Sequence, residues 1–145
     1  MIFTVQGKPQ GKARARTFYN PRLGRSQSVT PEKTVLYENL IKTCYQSAED
    51  KKQWMNKEPL MMNIKAYFEI PKSTSKKNRK LMEDMNLRPT KKPDADNIAK
   101  VVCDALNGIA YYDDAQIVTL NIVKVYTDAN PKVVVDIQEI MPEAG

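Results

Sequence analysis

Between Leu60 and Ile70 the chain alternates, with Met62, Ile64, Ala66, Phe68 and Ile70 on one side and Asn63, Lys65, Tyr67 and Glu69 on the other. A period of two predicts a strand with one buried face, which Pro71 ends. The first residues, Ile2 to Val5, suggest another strand, broken by Gly7-Lys8-Pro9. From Gly11 to Gly24 the glycine, proline and asparagine punctuation predicts a long basic loop. Thr30-Pro31-Glu32 then predicts a helix start: a hydroxyl cap, proline at the first helical position and an acid in the first turn. Val35, Leu36, Leu40, Ile41 and Cys44 share a face of that helix, which should run to about Ala48.

A short basic helix is expected from Ser75 to Met85, capped by its serine. The strongest helical pattern is Ile98, Val101, Val102, Ala105 and Leu106, with Asp96 in front as the N-cap and Asn107-Gly108 as the stop. Two strands, Gln116 to Tyr126 and Lys132 to Ile140, follow; the turn-forming residues Thr127 to Pro131 join them as an antiparallel hairpin. No repeat or linker interrupts the chain. The elements add up to one α+β domain, residues 1–145, with a mixed or largely antiparallel sheet packed against helices.

Composition narrows the chemistry. A chain of 145 residues is long enough for a core without staples. No apolar run approaches the roughly 18 residues of a membrane span, so no membrane partner is expected. The N-terminus alternates like a strand and has no signal-peptide pattern, which points to the cytoplasm. Cys44 and Cys103 lie far apart in helical patterns and read as buried free thiols in a reducing compartment. Histidine is absent, so Ser-His-Asp and Cys-His hydrolysis are excluded. Carboxylates holding a hard cation remain, with lysine as a point charge or proton handler.

The net charge of +6 is unevenly spread. Lys8, Lys12, Arg14, Arg16, Arg22 and Arg25 occur without an acid among them. Lys72, Lys76, Lys77, Arg79, Lys80, Arg88, Lys91 and Lys92 face only Glu83 and Asp84. A charge run is usually a solvated face, but two acid-poor runs bracketing an acidic cluster predict contact with nucleic acid.

That cluster is Asp94, Asp96, Asp113 and Asp114. Singly, each has a structural reading: Asp96 caps the helix, Asp94 sits at the positive end of its dipole, and the last pair marks a loop. A helix needs one cap, however, and the remaining acids suit Mg²⁺, which takes one or two protein carboxylates plus water and substrate oxygens. For the two pairs to meet, the strand after Asp114 must begin near the start of the helix. Lys100, one turn after Asp96, is either a routine i,i+4 partner or a cation beside the metal, and Asp104 is expected to pair structurally with Lys100.

The string Asp94-Ala95-Asp96-Asn97-Ile98-Ala99-Lys100, then Asp104-Ala105-Leu106, then Asp113-Asp114-Ala115-Gln116, resembles the D-x-D-N-x-x-K…D-A-L…D-D-x-Q signature of the RusA family of Holliday junction resolvases. The resemblance implies a small homodimeric, Mg²⁺-dependent crossover junction endodeoxyribonuclease, with Mn²⁺ as a substitute, found in bacteria and often in their prophages. It implies that Asp94, Asp96 and Asp114 hold the metal, that Lys100 is the catalytic lysine and that Asp113 supports them. The metal would activate a water for attack on the phosphodiester, and the basic residues would contact phosphates of a four-way DNA junction. The stretch from Gly7 to Arg25 departs from the family pattern as an insertion-like basic loop. Two other readings stand beside this one: a branched-DNA-binding module without catalysis, and a metal-dependent nuclease of flaps or forks. Tyr19, Tyr111 and Tyr112 are candidates for stacking on unpaired bases, with core packing expected for at least one of the last two, and Trp54 is structural.

Overall fold

The computed structural model describes residues 1–142. In chain order the elements are β1 (Ile2–Gln6), β2 (Arg16–Asn20), β3 (Arg25–Val29), α1 (Glu32–Gln46), β4 (Leu60–Glu69), α2 (Lys76–Glu83), α3 (Ala95–Leu106), β5 (Ile117–Thr127) and β6 (Lys132–Glu139). The main sheet has the order β1-β6-β4-β5, with β4 and β5 parallel and the other two pairings antiparallel. The architecture is therefore α+β with a mixed sheet.

β4 is central, and its alternation is realised in full. Leu60, Met62, Ile64, Ala66 and Phe68 are buried, while Asn63, Lys65 and Tyr67 stay partly accessible on the other face. The buried face packs with Phe3 and Val5 of β1, Val133, Val135 and Ile137 of β6, and the apolar stripe of α3. That stripe is the expected one: Ile98, Val101, Val102, Ala105 and Leu106 are all fully buried.

Several expectations are corrected. β5 and β6 are not a hairpin, because β4 lies between them and pairs with both. Two adjacent strand-like runs joined by a turn suggest a hairpin only if no third strand fits between them, and β4 provides ten residues able to bond on both edges. The supposed basic loop contains a ribbon, β2–β3, paired from Arg16↔Val29 to Asn20↔Arg25 around a turn where Gly24 adopts φ +62°. Only glycine takes that conformation without strain.

In α1 the buried residues are Thr34, Tyr37, Ile41 and Tyr45, whereas Val35, Leu36 and Leu40 are exposed. Each tyrosine buries a large ring, and Tyr45 meets Phe3 edge-on at 6.0 Å between ring centroids. Its hydroxyl donates to the Lys52 carbonyl, which removes the cost of burying it. The N-cap is Pro31, with no side-chain cap, so Thr30 falls outside the helix. The Pro31 carbonyl accepts from Thr34 N and Val35 N at 3.0 and 3.1 Å. The helix ends at Gln46, two residues before the expected Ala48.

α3 also starts earlier than its apolar pattern. Asp94, with extended backbone, is the N-cap, and Asp96 lies in the first turn. α2 matches expectation, with Ser75 Oγ accepting from Asn78 N at 3.2 Å. No helix among the described residues is long and apolar enough to cross a membrane.

Candidate active site along helix α3

Asp96, Lys100 and Asp104 are spaced by four, and that spacing sets them in one row on α3. The structure turns this row towards β5. Asp96, Lys100, Asp104 and Asp114, with Ala95, Ala99, Cys103, Leu120 and Ile122, line one open groove of about 550 Å³. From Asp96 to Asp104 the helix rises about 12 Å at 1.5 Å per residue. Asp114 joins from the segment that leads into β5.

The meeting point differs from the one the sequence suggests. β4 and β5 are parallel, so the chain must return along α3 before β5 begins. Asp114 consequently stands by the second half of α3, where its N–H donates to Asn107 Oδ1 at 3.1 Å. Its neighbours are Asp104 and Cys103 rather than the helix start.

A single residue holds this corner together. Gln116 is 7% exposed, and its Oε1 accepts from Tyr112 N at 2.9 Å and Asp113 N at 3.0 Å. Its Nε2 donates to the Trp54 and Glu58 carbonyls at 3.0 and 3.1 Å. Every hydrogen-bonding position of the amide that these contacts need is used, and the Asp113-Asp114 turn is tied to the loop before β4. Trp54 N donates in turn to the Ala110 carbonyl at 2.8 Å, and its side chain, 7% exposed, belongs to the core. Tyr111 is fully buried and donates to the Cys103 carbonyl at 2.7 Å, whereas Tyr112 is 66% exposed. Only Tyr112 and Tyr19, 63% exposed, remain available for stacking.

The electrostatics mark out Asp114. Its carboxyl is pushed above the ordinary carboxylate value, first by desolvation, then by the Asp113 and Asp104 carboxylates. A bound cation would relieve that repulsion, and hard carboxylate oxygens are the ligand type Mg²⁺ selects. Among the described residues no three acidic or thiol groups close around a common point. The groove therefore fits a cation held by one or two carboxylates with water and substrate oxygens, not a protein cage. Cys103, on the groove wall, has its thiol raised to about 11 by burial and the nearby Asp114 and Asp104, so it stays protonated and is a poor nucleophile. Both cysteines are free thiols; Cys103 is buried, but Cys44 only partly so.

Asp94 and Asp113 lie outside this groove. Asp94, at the helix start, faces a neighbouring groove with Lys12, Lys33, Lys92 and Asn97. Asp113 lines a third with Lys57, Tyr112 and Gln116, although its carboxylate is near enough to help raise that of Asp114.

Asp104 does not pair with Lys100. Its partner is Lys12, whose Nζ lies 3.3 Å from Asp104 and 3.0 Å from Glu38. The coil before β2 delivers this lysine by crossing α3, with Lys12 N donating to the Asn97 carbonyl at 3.0 Å. Among the described residues Lys100 has no carboxylate within ion-pair distance, so it faces the groove uncommitted. Lys12, expected among the phosphate contacts, is thus engaged by two carboxylates in this structure.

The crossing explains Gly11, which nothing in the linear pattern singles out. A Cβ there would stand 2.9 Å from Asn97 Cβ and 3.0 Å from Pro93 Cβ. Gly11→Ala is expected to cost about 1–3 kcal/mol through overpacking. It should also lift Lys12 from Asp104, which thermal unfolding combined with a double-mutant cycle against Lys12→Met would show as coupling between the two positions.

The other basic candidates are surface groups. Lys8, Lys91 and Lys92 line a cavity of about 530 Å³ together with Lys72, Phe68 and three prolines. Lys76, Lys77 and Lys80 are exposed on α2 and Arg79 half-buried; Arg14 lies in the exposed coil, and Arg16, Arg22 and Arg25 are on the β2–β3 ribbon. Arg88 donates to the Lys124 carbonyl at 3.4 Å.

Comparison with known proteins places relatives beside this chain. The family described as "Endodeoxyribonuclease RusA" matches residues 6–138. The chain is also 36% identical over 140 residues to the uncharacterized protein YqaN of Bacillus subtilis (strain 168), with 95% of each covered.

Proposed function

Because this chain belongs to the RusA family of endodeoxyribonucleases, we propose that it cuts branched DNA, resolving four-way junctions by paired nicks in the presence of Mg²⁺. The observation that carries the reading is the groove along α3, where the fold collects Asp96, Lys100 and Asp114 from separate parts of the signature. Asp96 and Asp114, which line the groove, would hold a divalent cation; Asp94 faces the neighbouring groove and would join them only by turning its side chain across the helix start. Bound there, the cation supplies charge stabilisation and a more acidic water.

The protein's own groups divide the remaining work. Lys100, unpaired in the groove, is placed to meet the negative charge that grows on the phosphate. Asp104 is neutralised by Lys12 and so is an anchor of the groove wall rather than a free base. Lys8, Lys91 and Lys92, with the cations of α2, supply sequence-independent phosphate contacts that weaken with salt. Two symmetric nicks require two such grooves, which a two-fold dimer provides.

The test is a labelled mobile four-way junction incubated with the protein and Mg²⁺, beside a linear duplex and the Asp96→Asn variant. Asp96 is exposed, so the exchange should spare the fold. Paired nicks in the junction alone, lost in the variant while binding persists, are expected. Tight binding without any cleavage in Mg²⁺ or Mn²⁺ would leave a DNA-binding module. Preferential cutting of flaps or forks would change the substrate while keeping the site.

A further inference from the structure

The β2–β3 ribbon stands apart from the main sheet and pairs only with itself. It makes no extensive contact with any other element. Phe18, Tyr19, Leu23 and Val29 are 47–63% exposed on it. A lone two-stranded ribbon is marginally stable in water, so a ribbon of this kind is completed by what it binds.

Its charge selects the occupant. From Gly7 to Pro31 there is no acidic residue, while Arg14, Arg16, Arg22 and Arg25 all lie within or beside the ribbon. A second copy docked ribbon to ribbon would bring these cations together, whereas a polyanion is complementary to them.

The register assigns a different chemistry to each face. Arg16, Phe18 and Asn20 alternate with Thr17 and Tyr19, and their partners across the ladder are Val29, Gln27 and Arg25. One face therefore carries Arg16, Phe18, Asn20, Arg25, Gln27 and Val29. The other carries Thr17, Tyr19, Ser26 and Ser28, with Thr17 Oγ1 and Ser28 Oγ 3.4 Å apart. All the long donors are thus on one side, and the Asn20 amide donates to Gln27 Oε1 at 3.0 Å. Arginine paired to guanine and Asn or Gln paired to adenine are the side-chain matches of the major groove, whose width of about 12 Å admits a two-stranded ribbon.

We infer that the ribbon enters the major groove of a duplex arm of the substrate, with the Arg16–Asn20–Arg25–Gln27 face towards the base edges and Arg14 and Arg22 at its ends on phosphates. The inference rests on the reading that the substrate is branched DNA. It adds that the protein holds an arm by its groove, away from the cleavage site, and reads sequence there.

The experiment is dimethyl sulfate footprinting of guanine N7 on an immobile four-way junction, using the Asp96→Asn protein and the same protein carrying Arg16→Ala and Arg25→Ala. Protection of guanines in an arm is expected, and its loss in the arginine variant. Affinity should fall about tenfold or more, with the slope of log K against log salt little changed, because these two arginines face bases and not phosphates. Circular dichroism establishes that both proteins are folded. An unchanged footprint and affinity would overturn the inference. So would protection at adenine N3, which reports the minor groove, or loss of self-association with the footprint intact, which would make the ribbon a protein interface. If the Asp96→Asn protein binds no branched or linear DNA, the functional reading itself falls. If it binds the junction but protects no guanine, only the ribbon inference does.

Discussion

Asp114→Asn is expected to lower junction cleavage by about 10²–10³-fold, the range for removing one preorganised group that stabilises transition-state charge. In the absence of divalent metal it should also make the protein more stable. The two effects have one cause. The Asp114 carboxyl is raised above its ordinary value of 3.8 by desolvation and by the Asp113 and Asp104 carboxylates. The folded state therefore holds that proton more tightly than the unfolded chain. A raised value contributes stability below the unfolded value and loses it as pH rises through the folded one. At neutral pH the ionised carboxylate is a small liability, which asparagine removes. Thermal unfolding in EDTA should show the variant modestly above wild type at pH 7, with the gap closing as pH falls below the carboxylate range. Added Mg²⁺ should raise the wild-type melting temperature more than the variant's. Wild-type cleavage by the variant would remove Asp114 from the site. Destabilisation at neutral pH would make its carboxylate structural instead.

Gln116→Ala should have the largest effect on folding. It would strand the N–H groups of Tyr112 and Asp113 and the carbonyls of Trp54 and Glu58, all now satisfied by one amide. A buried polar group deprived of its partner costs about 1–3 kcal/mol. Water reaching the more exposed of the four would recover part of this, leaving about 3 kcal/mol or more. The melting temperature should drop by roughly 10 °C. Cleavage should fall as well, because the Asp113-Asp114 turn loses its tie to the loop before β4. Stability within a few tenths of a kcal/mol of wild type would contradict this account of the glutamine. The prediction gives a physical reason for the last letter of the D-D-x-Q string: the glutamine sets where the aspartates stand and takes no part in the chemistry.

The elements that were legible in the sequence are those whose burial follows a single period. β4 alternates because only one of its faces is covered, and the inner stripe of α3 repeats at helical spacing because the sheet lies beneath it. α1 misled because its aliphatic residues and its tyrosines offer two competing faces, and the choice between them depends on Phe3, far away in sequence. The terminal strands misled because local turn chemistry says that two strands reverse, not whether a third lies between them. β2–β3 was hidden because neither face of the ribbon is buried, so its polar and apolar residues show no alternation.

By itself the sequence determined which chemistry its side chains suit. A chain without histidine has no histidine-based triad, and carboxylates in a D-x-D…D-D string with lysines and arginines on both sides suit a hard cation and a polyanion. Residue identity is sufficient for that because ligand hardness and charge are properties of the side chains. The tertiary structure decided which groups stand together. It put Asp114 beside Asp104 rather than by the start of α3, left Lys100 free in the groove and committed Lys12 to an ion pair. Those outcomes depend on the parallel pairing of β4 with β5 and on a coil that crosses α3 at Gly11. Both are long-range packing choices, made by the burial of whole faces, and no local spacing in the chain encodes them.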